Sequence, residues 1–184
     1  MKCLVVKVLR LVFGLFYSKK YLRGYFFETK KMGWYWCLMG LPSRLWGANR
    51  RIPWPVNPNT LVSDPNVVFD IDNINIFQTP GCYWQCKKAA IKIGKGSWVA
   101  PNVGIITTNH DIYDVGKHVN GRDVVIGEYS WVGMNSMILP GVVLGPHTVV
   151  GAGSVVTKSF PNGYCVIAGV PAKLVKTIDC DVKK

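Results

Sequence analysis

From Ile126 onward the chain can be cut into sixes: IGEYSW, VGMNSM, ILPGVV, LGPHTV, VGAGSV and VTKSFP. The first place holds Ile126, Val132, Ile138, Leu144, Val150 and Val156, all aliphatic. The second holds Gly127, Gly133, Leu139, Gly145, Gly151 and Thr157, and the fifth holds Ser130, Ser136, Val142, Thr148, Ser154 and Phe160. Upstream, IGKGSW (93–98), VAPNVG (99–104) and IITTNH (105–110) keep the same frame. A period of six suits neither the 3.6 of a helix nor the 2 of a hairpin strand; it predicts a parallel β-helix built from hexapeptides. Each six supplies a flat strand and a corner, and three close one triangular coil. The aliphatic first residue points inward and stacks on its counterpart about 4.8 Å away. The small fifth residue also points inward beside the corner, and Gly at the second place is expected to ease the backbone through the turn.

The frame breaks after His110 and resumes at Ile126, leaving Asp111 to Val125 outside the coils. This polar excursion, loop 111–125, holds Tyr113, Asp114, Lys117, His118 and Arg122. Long loops on a rigid repeat are where function usually sits. Residues 61–92 fall into no clear frame, although Gln78-Thr79-Pro80-Gly81 reads as a turn. The layout expected is therefore an N-terminal extension over 1–60, an all-β domain of hexapeptide coils over 61–178, and a tail over 179–184 with no visible role.

The extension differs from the coils in charge. The chain carries 22 Lys+Arg and 10 Asp+Glu, a net charge of +12. Residues 1–60 hold 11 of the bases and one acid, Glu28, which is +10; residues 61–184 hold 11 bases and 9 acids, which is +2. Met1 to Tyr17 reads MKCLVVKVLRLVFGLFY, with apolar residues at 4, 5, 8, 11, 12, 15 and 16 in helical period and Lys2, Lys7 and Arg10 between them. Lys19, Lys20, Arg23, Lys30, Lys31 and then Trp34, Trp36, Trp46 and Trp54 follow. A basic amphipathic helix trailed by indoles suits an anionic membrane surface, through residues 1–31; packing on its own domain or on a neighbouring subunit is the competing reading. Lys7 and Arg10 interrupt any secretory core, and no helix-turn-helix, zinc or RNP-type signature supports nucleic-acid binding. No stretch of about 18 uninterrupted apolar residues suggests a spanning helix. Six scattered Cys read as free thiols in a reducing cytoplasm.

Three imidazoles are available for acid–base work. His147 sits in the fourth place of LGPHTV, at a coil or corner; His118 lies in the loop; His110 stands where the repeat opens into the loop. Position favours His110 over His118 without deciding between them.

The stretch APNVGIITTNHD (100–111) resembles the galactoside and maltose O-acetyltransferases of the hexapeptide-repeat acyltransferase family, in which an APNV motif precedes the catalytic His by the same spacing. That resemblance implies coils that wind left-handed, His110 as general base and Asn102 facing the acceptor hydroxyls in a shared pocket. It casts the loop as a flap whose Tyr113, Asp114 and Lys117 help define the acceptor. GEYSWVGMN (127–135), VGAGSVVTKSFP (150–161) and AGVPAK (168–173) also follow the family. By that likeness acetyl-CoA lies in a groove between neighbouring subunits of a homotrimer. Trp131 and Gly133 line the acyl and pantetheine path, Ala152 meets the pantetheine amides, and Thr157, Lys158 and Lys173 lie near the nucleotide phosphates. The family often has Arg where Lys173 stands, exchanging a bidentate phosphate contact for a point charge. RIPWPV (51–56), FQTPGCYWQ (77–85) and the front end look like the subgroup encoded with capsule and O-antigen pathways.

The function expected is acetyl transfer to a sugar hydroxyl of a surface-polysaccharide precursor, such as a polyprenyl-linked glycan, with no metal and no nucleic acid. The enzyme would work in the cytoplasm, peripheral to the inner face of the cytoplasmic membrane. Rival readings are N-acetyl transfer to an amino sugar, a γ-type carbonic anhydrase and a non-enzymatic membrane-surface scaffold. The exposed coil edge at Val166–Ile167 is expected to need a neighbouring chain as cover.

Overall fold

The computed structural model describes residues 2–179, with side chains from Leu4 onward. Strands β1 (Leu61–Val62), β3 (Tyr83–Gln85), β6 (Gly104–Ile106), β9 (Met137–Ile138) and β12 (Val155–Val156) form the first face of a three-sided parallel β-helix. The second face is β2 (Val67–Phe69), β4 (Ile91–Ile93), β7 (Val124–Ile126) and β10 (Val143–Leu144). The third is β5 (Trp98–Val99), β8 (Trp131–Val132), β11 (Thr148–Val150) and β13 (Cys165–Gly169). Ile126 pairs with Leu144, Val132 with Val150 and Ile138 with Val156, each partner lying three hexapeptides further along the chain. Each of these side chains is at most 1% exposed, so the first-place residues make three apolar columns inside the prism. Across the loop, Ile93 pairs with Ile126 and Val99 with Val132, an interval of one coil plus the whole excursion. The chain rejoins slightly earlier than the frame implies, because Val124 and Val125 already pair with Ile91 and Lys92.

The fifth-place hydroxyls do more than fit. Ser97 Oγ donates to the Gly127 carbonyl at 2.8 Å, Ser136 Oγ to Gly151 at 3.0 Å, and the Thr148 amide donates to Ser130 Oγ at 3.2 Å. These bonds run mostly from coil to coil, satisfying buried polar groups at the corners.

The turn itself falls at a place the repeat did not predict. The left-handed conformation occurs at the fourth place: Gly96, Asn102, Tyr129, Asn135, Gly141, His147 and Gly153 have φ between 53° and 84°. The second-place glycines have no such φ; they are small because the next coil passes too near. A Cβ on Gly133 would stand 2.7 Å from both the Val150 carbonyl oxygen and the Ala152 nitrogen.

At the N-terminal end the last coil has no coil beneath it, and aromatic side chains fill the opening. Helices α1 (Lys2–Phe13), α2 (Tyr25–Glu28) and α3 (Met32–Leu45) precede it, and a 3-10 helix, Ile71–Gln78, takes the place of a third-face strand below β5. Asp70 caps that turn, accepting from the Asp72 amide at 2.9 Å. Tyr21, Trp54, Phe69, Phe77 and Trp84 interlock with ring centroids 4.8–5.5 Å apart. The indoles expected at a membrane are therefore mostly inside: Trp34, Trp36 and Trp54 are 6%, 9% and 1% exposed, and Trp46 alone of the four, at 84%, faces outward. Cys37, Cys82, Cys86 and Cys165 are free and buried; burial pushes the Cys37 thiol up to about 12 and raises Cys82 and Cys86, so these thiols are poor nucleophiles.

The opposite end closes within the chain. β14 (Ala172–Thr177) turns back and pairs antiparallel with β13, so the Val166–Ile167 edge is covered by Leu174 and Lys176 of the same chain. Gly127→Ala is expected to cost about 1–3 kcal/mol, because its Cβ would press on the Gly145–Pro146 backbone. A urea midpoint that falls at unchanged slope checks this; an unchanged midpoint would return the second place to a turn role.

Candidate active site

Strand β6 delivers the chain to the mouth of the loop, and β3 holds it there. Gln85 Oε1 accepts from the amides of Thr107 and Thr108 at 3.0 and 3.1 Å, while its Nε2 donates to the Thr108 carbonyl at 3.1 Å. The returning arm ties on beside this: Thr108 Oγ1 donates to the Val119 carbonyl at 2.8 Å, and the Arg122 amide to the Thr107 carbonyl at 2.8 Å. The loop is thus folded on its own base rather than hanging as a flap. At its tip, Asp111 Oδ1 accepts from the Tyr113 and Asp114 amides, and Asp114 pairs with Lys117 at 2.9 Å. Where the loop rejoins the coils, Asp123 meets Lys92 Nζ at 2.7 Å and accepts from the Ala90 amide at 2.9 Å. The hydrogen bond from Lys92 holds the Asp123 carboxyl below its usual range, so this anchor persists above the ordinary carboxylate pKa and weakens only as pH falls through the lowered value.

His110 sits exposed at the neck of this structure. Its Nδ1 lies 2.7 Å from the Val115 carbonyl oxygen. A carbonyl can only accept, so this contact assigns the proton to Nδ1 and leaves the lone pair of the neutral ring on Nε2. The His118 ring lies 4.1 Å away, tilted by 38° against His110 across the bridge between the two arms. His147 belongs elsewhere: it is half-buried at the corner between β10 and β11, stacked between Tyr129 at 5.3 Å and Tyr164 at 4.8 Å.

The remaining candidates fall into two groups. Asn102 occupies the corner between β5 and β6 in the left-handed conformation, donating to Asn135 Oδ1 at 3.1 Å on the next coil. β6, spanning about 10 Å at about 3.3 Å per residue, lies between Asn102 and His110. Within one chain, Asn102 and His110 thus stand on either side of β6. Tyr113 is 93% exposed at the loop tip, and Asp114 is engaged by Lys117 and by the Gly116 amide. Gly133 and Ala152 adjoin each other on successive coils at the Asn102 corner column. Trp131 stands out from the third face, 54% exposed, in register with Trp98, 62% exposed. Thr157, Lys158 and Lys173 line one cleft of about 250 Å3 with Phe160 and Pro171. A roomier cleft of about 520 Å3, lined by Pro42, Ser43, Trp46, Asn49, Thr60 and Leu61 among others, holds no acid, base or cation.

Two contributors escape a reading of the sequence. Trp98 has a visible signal, since it occupies the sixth place of its repeat just as Trp131 does. Gln85 has none, because its partners lie far along the chain at the base of a loop. Among the described residues, no group of three or more His, Cys, Asp or Glu is placed to hold a metal ion.

Residues 123–158 match the bacterial transferase hexapeptide pattern of six repeats. The coils from β7 to β12 thus carry that transferase repeat. The fold is accordingly a left-handed parallel β-helix with helices at its N-terminus. Among proteins of similar sequence, the galactoside O-acetyltransferase of Escherichia coli strain K12 is 37% identical over 93 residues, 48% of this chain and 45% of its own length. The WbbJ protein of the same strain, named provisionally for O-acetyl transfer in lipopolysaccharide biosynthesis, is 36% identical over 109 residues, 51% of this chain and 54% of its own. Among solved structures, a hexapeptide-repeat acetyltransferase of Vibrio cholerae O1 biovar eltor, complexed with acetyl coenzyme A, aligns with a TM-score of 0.50 at 25% identity, covering 54% of this chain and 55% of its own. The chain spans about half the length of the curated relatives it matches.

Gln85→Leu removes the acceptor from two amides at the neck of the loop. Amide exchange at Thr107 and Thr108 should quicken by about tenfold or more, the equivalent of roughly 1–3 kcal/mol for the lost acceptor. Unchanged protection by NMR would mean that the loop's own hydrogen bonds suffice.

Proposed function

We propose that this protein transfers an acetyl group from acetyl-CoA to a sugar hydroxyl of a surface-polysaccharide precursor, with His110 as general base. The observation that carries the reading is the 2.7 Å contact of His110 Nδ1 with the Val115 carbonyl, which keeps an accepting Nε2 open to solvent. Acetyl-CoA supplies the acyl group as a thioester. His110 Nε2 takes the hydroxyl proton while the sugar oxygen bonds to the acyl carbon and the C–S bond breaks, its electron pair leaving on sulfur. The contact with Val115 also steadies the ring as it becomes an imidazolium.

The remaining pieces lie on separate edges of one prism. Asn102, Gly133 and Ala152 share the corner before the first face, whereas His110 stands beyond the corner after it. A second copy presenting its Asn102 corner to His110 would complete the pocket, and three copies around an axis would complete three. In that arrangement Trp131 and Gly133 border the acyl and pantetheine arm and Ala152 faces its amides. The cleft of Thr157, Lys158 and Lys173 receives the phosphates, two ammonium groups meeting an anionic end. Tyr113 and Asp114, at the loop tip, border the acceptor. The likeness to WbbJ supports a polysaccharide precursor as acceptor. No described helix is long and apolar enough to cross a membrane.

His110→Ala should lower turnover by roughly 10²–10⁴, read as loss of the mass increase of about 42 Da on candidate nucleotide or polyprenyl-linked sugars. Asn102→Ala should weaken acceptor binding in the same assay. Chains carrying one or the other substitution, unfolded and refolded together in equal amounts, should regain activity, since about a quarter of the mixed sites would contain both native residues. No regain on mixing would place both groups in a single chain and overturn the shared site.

A further inference from the structure

Helix α1 is apolar on two sides. Val6, Leu9 and Phe13 turn toward the core. Leu4, Val5, Val8, Leu11, Val12 and Leu15 face outward, each 46–80% exposed. The side that packs is therefore not the stripe that helical period singles out; that stripe is left over after packing. Helix α3 shows the same pattern. Trp34, Trp36 and Cys37 are buried, while Tyr35, Leu38 and Met39, with Trp46 just past its end, are 45–84% exposed. The two outward stripes meet where the helices finish: Leu15, Phe16, Arg44, Leu45 and Arg50 line one cleft of about 250 Å3. Arg44 Nε donates to the Phe16 carbonyl at 3.0 Å, locking the two ends together. Large apolar side chains left exposed in this number on two helices that meet at one cleft mark an interaction site.

Charge decides what covers it. Lys7, Lys19, Lys20, Arg23, Lys30 and Lys31 of the same extension are exposed. The one acid of residues 1–60, Glu28, is already paired with Arg10 at 3.0 Å. A second copy offers no complement, because its own extension is +10 and its residues 61–184 are +2. Anionic lipid offers both an apolar interior for the stripes and phosphates for the cations. Trp46 and Tyr35, the most exposed aromatics of this surface, suit the headgroup layer, where an amphipathic ring meets both phases.

We propose that the outward faces of α1 and α3 form a docking surface for an anionic lipid bilayer, with Arg44 and Arg50 meeting headgroup phosphate where the two stripes join. The helices lie along the surface rather than across it. The docking surface does not depend on the transfer chemistry.

The test uses the full chain, sedimented with vesicles of phosphatidylcholine alone or with about 30% phosphatidylglycerol. Binding should be at least about tenfold tighter to the anionic vesicles and should weaken as salt rises. Leu11→Glu combined with Trp46→Glu, both at exposed positions, should lower vesicle binding about tenfold or more, with circular dichroism and oligomer mass unchanged. Arg44→Gln with Arg50→Gln should cost about fivefold per charge. Equal binding to both vesicle types, or a Leu11/Trp46 variant that binds like the wild type, would overturn the proposal. So would a variant whose oligomer mass falls in vesicle-free solution, since the stripes would then be an interface between copies. Acetyl transfer to a soluble sugar, measured on the same proteins, separates the two readings: vesicle binding without transfer would leave the docking surface standing and remove the transferase.

Discussion

Parallel pairing between successive coils, renewed at every third hexapeptide, is the constraint on which the rest of the molecule depends. It sets Ile126 on Leu144, Val132 on Val150 and Ile138 on Val156, and so builds three dry columns from very short strands. Strands that short have little stability alone; their hydrogen bonds and side chains count only in the stack. Two devices let the coils approach. Glycine at the second place removes the Cβ that would strike the next coil, and serine or threonine at the fifth sends a hydroxyl to that coil's backbone. The left-handed residues at the fourth place then turn the corners, and at Asn102, Tyr129, Asn135 and His147 they are not glycines. Those corners cost strain and present side chains outward, which suits positions that carry contacts as well as geometry.

The rigid stack explains how a single imidazole can be placed without a deep pocket. His110 lies outside the columns, on a loop whose neck is stitched to β3 by Gln85 and whose exit is fixed by the Lys92–Asp123 pair. Its ring is oriented by one backbone carbonyl and backed by a second imidazole. Everything that selects a tautomer is supplied within the loop, while Asn102, Gly133 and Ala152 lie at the corner before the first face.

Much of this is legible in the sequence, and the misses have physical causes. Six-residue spacing implies the columns and the loop, because both depend on which residues recur and where recurrence stops. It does not yield the role of the second-place glycines, since a pattern shows that no side chain is tolerated without showing whether conformation or crowding forbids it. Trp34, Trp36 and Trp54 resemble a membrane belt by their company of lysines. Instead Trp54 plugs the open end of the coil stack, a demand that exists only once the stack has an end, and Trp34 and Trp36 pack on Phe13, Phe27 and Phe26 of the helical extension. The Val166–Ile167 edge looks exposed for the converse reason: that β14 returns antiparallel to cover it is a tertiary event. His110 can be chosen by position and by likeness to a family motif, but its hydrogen bond to Val115 cannot.

By itself the sequence determined the repeat, the inward columns, the site of the loop and the concentration of positive charge in residues 1–60, because each follows from periodicity or composition along the chain. Tertiary structure alone decided which apolar face of α1 would be buried and which left over, that β6 would separate Asn102 from His110, and which nitrogen of His110 would bear the proton. Those outcomes rest on contacts between residues distant in sequence or folded across a turn, and no local pattern encodes which of several equally apolar or polar partners the packing will select.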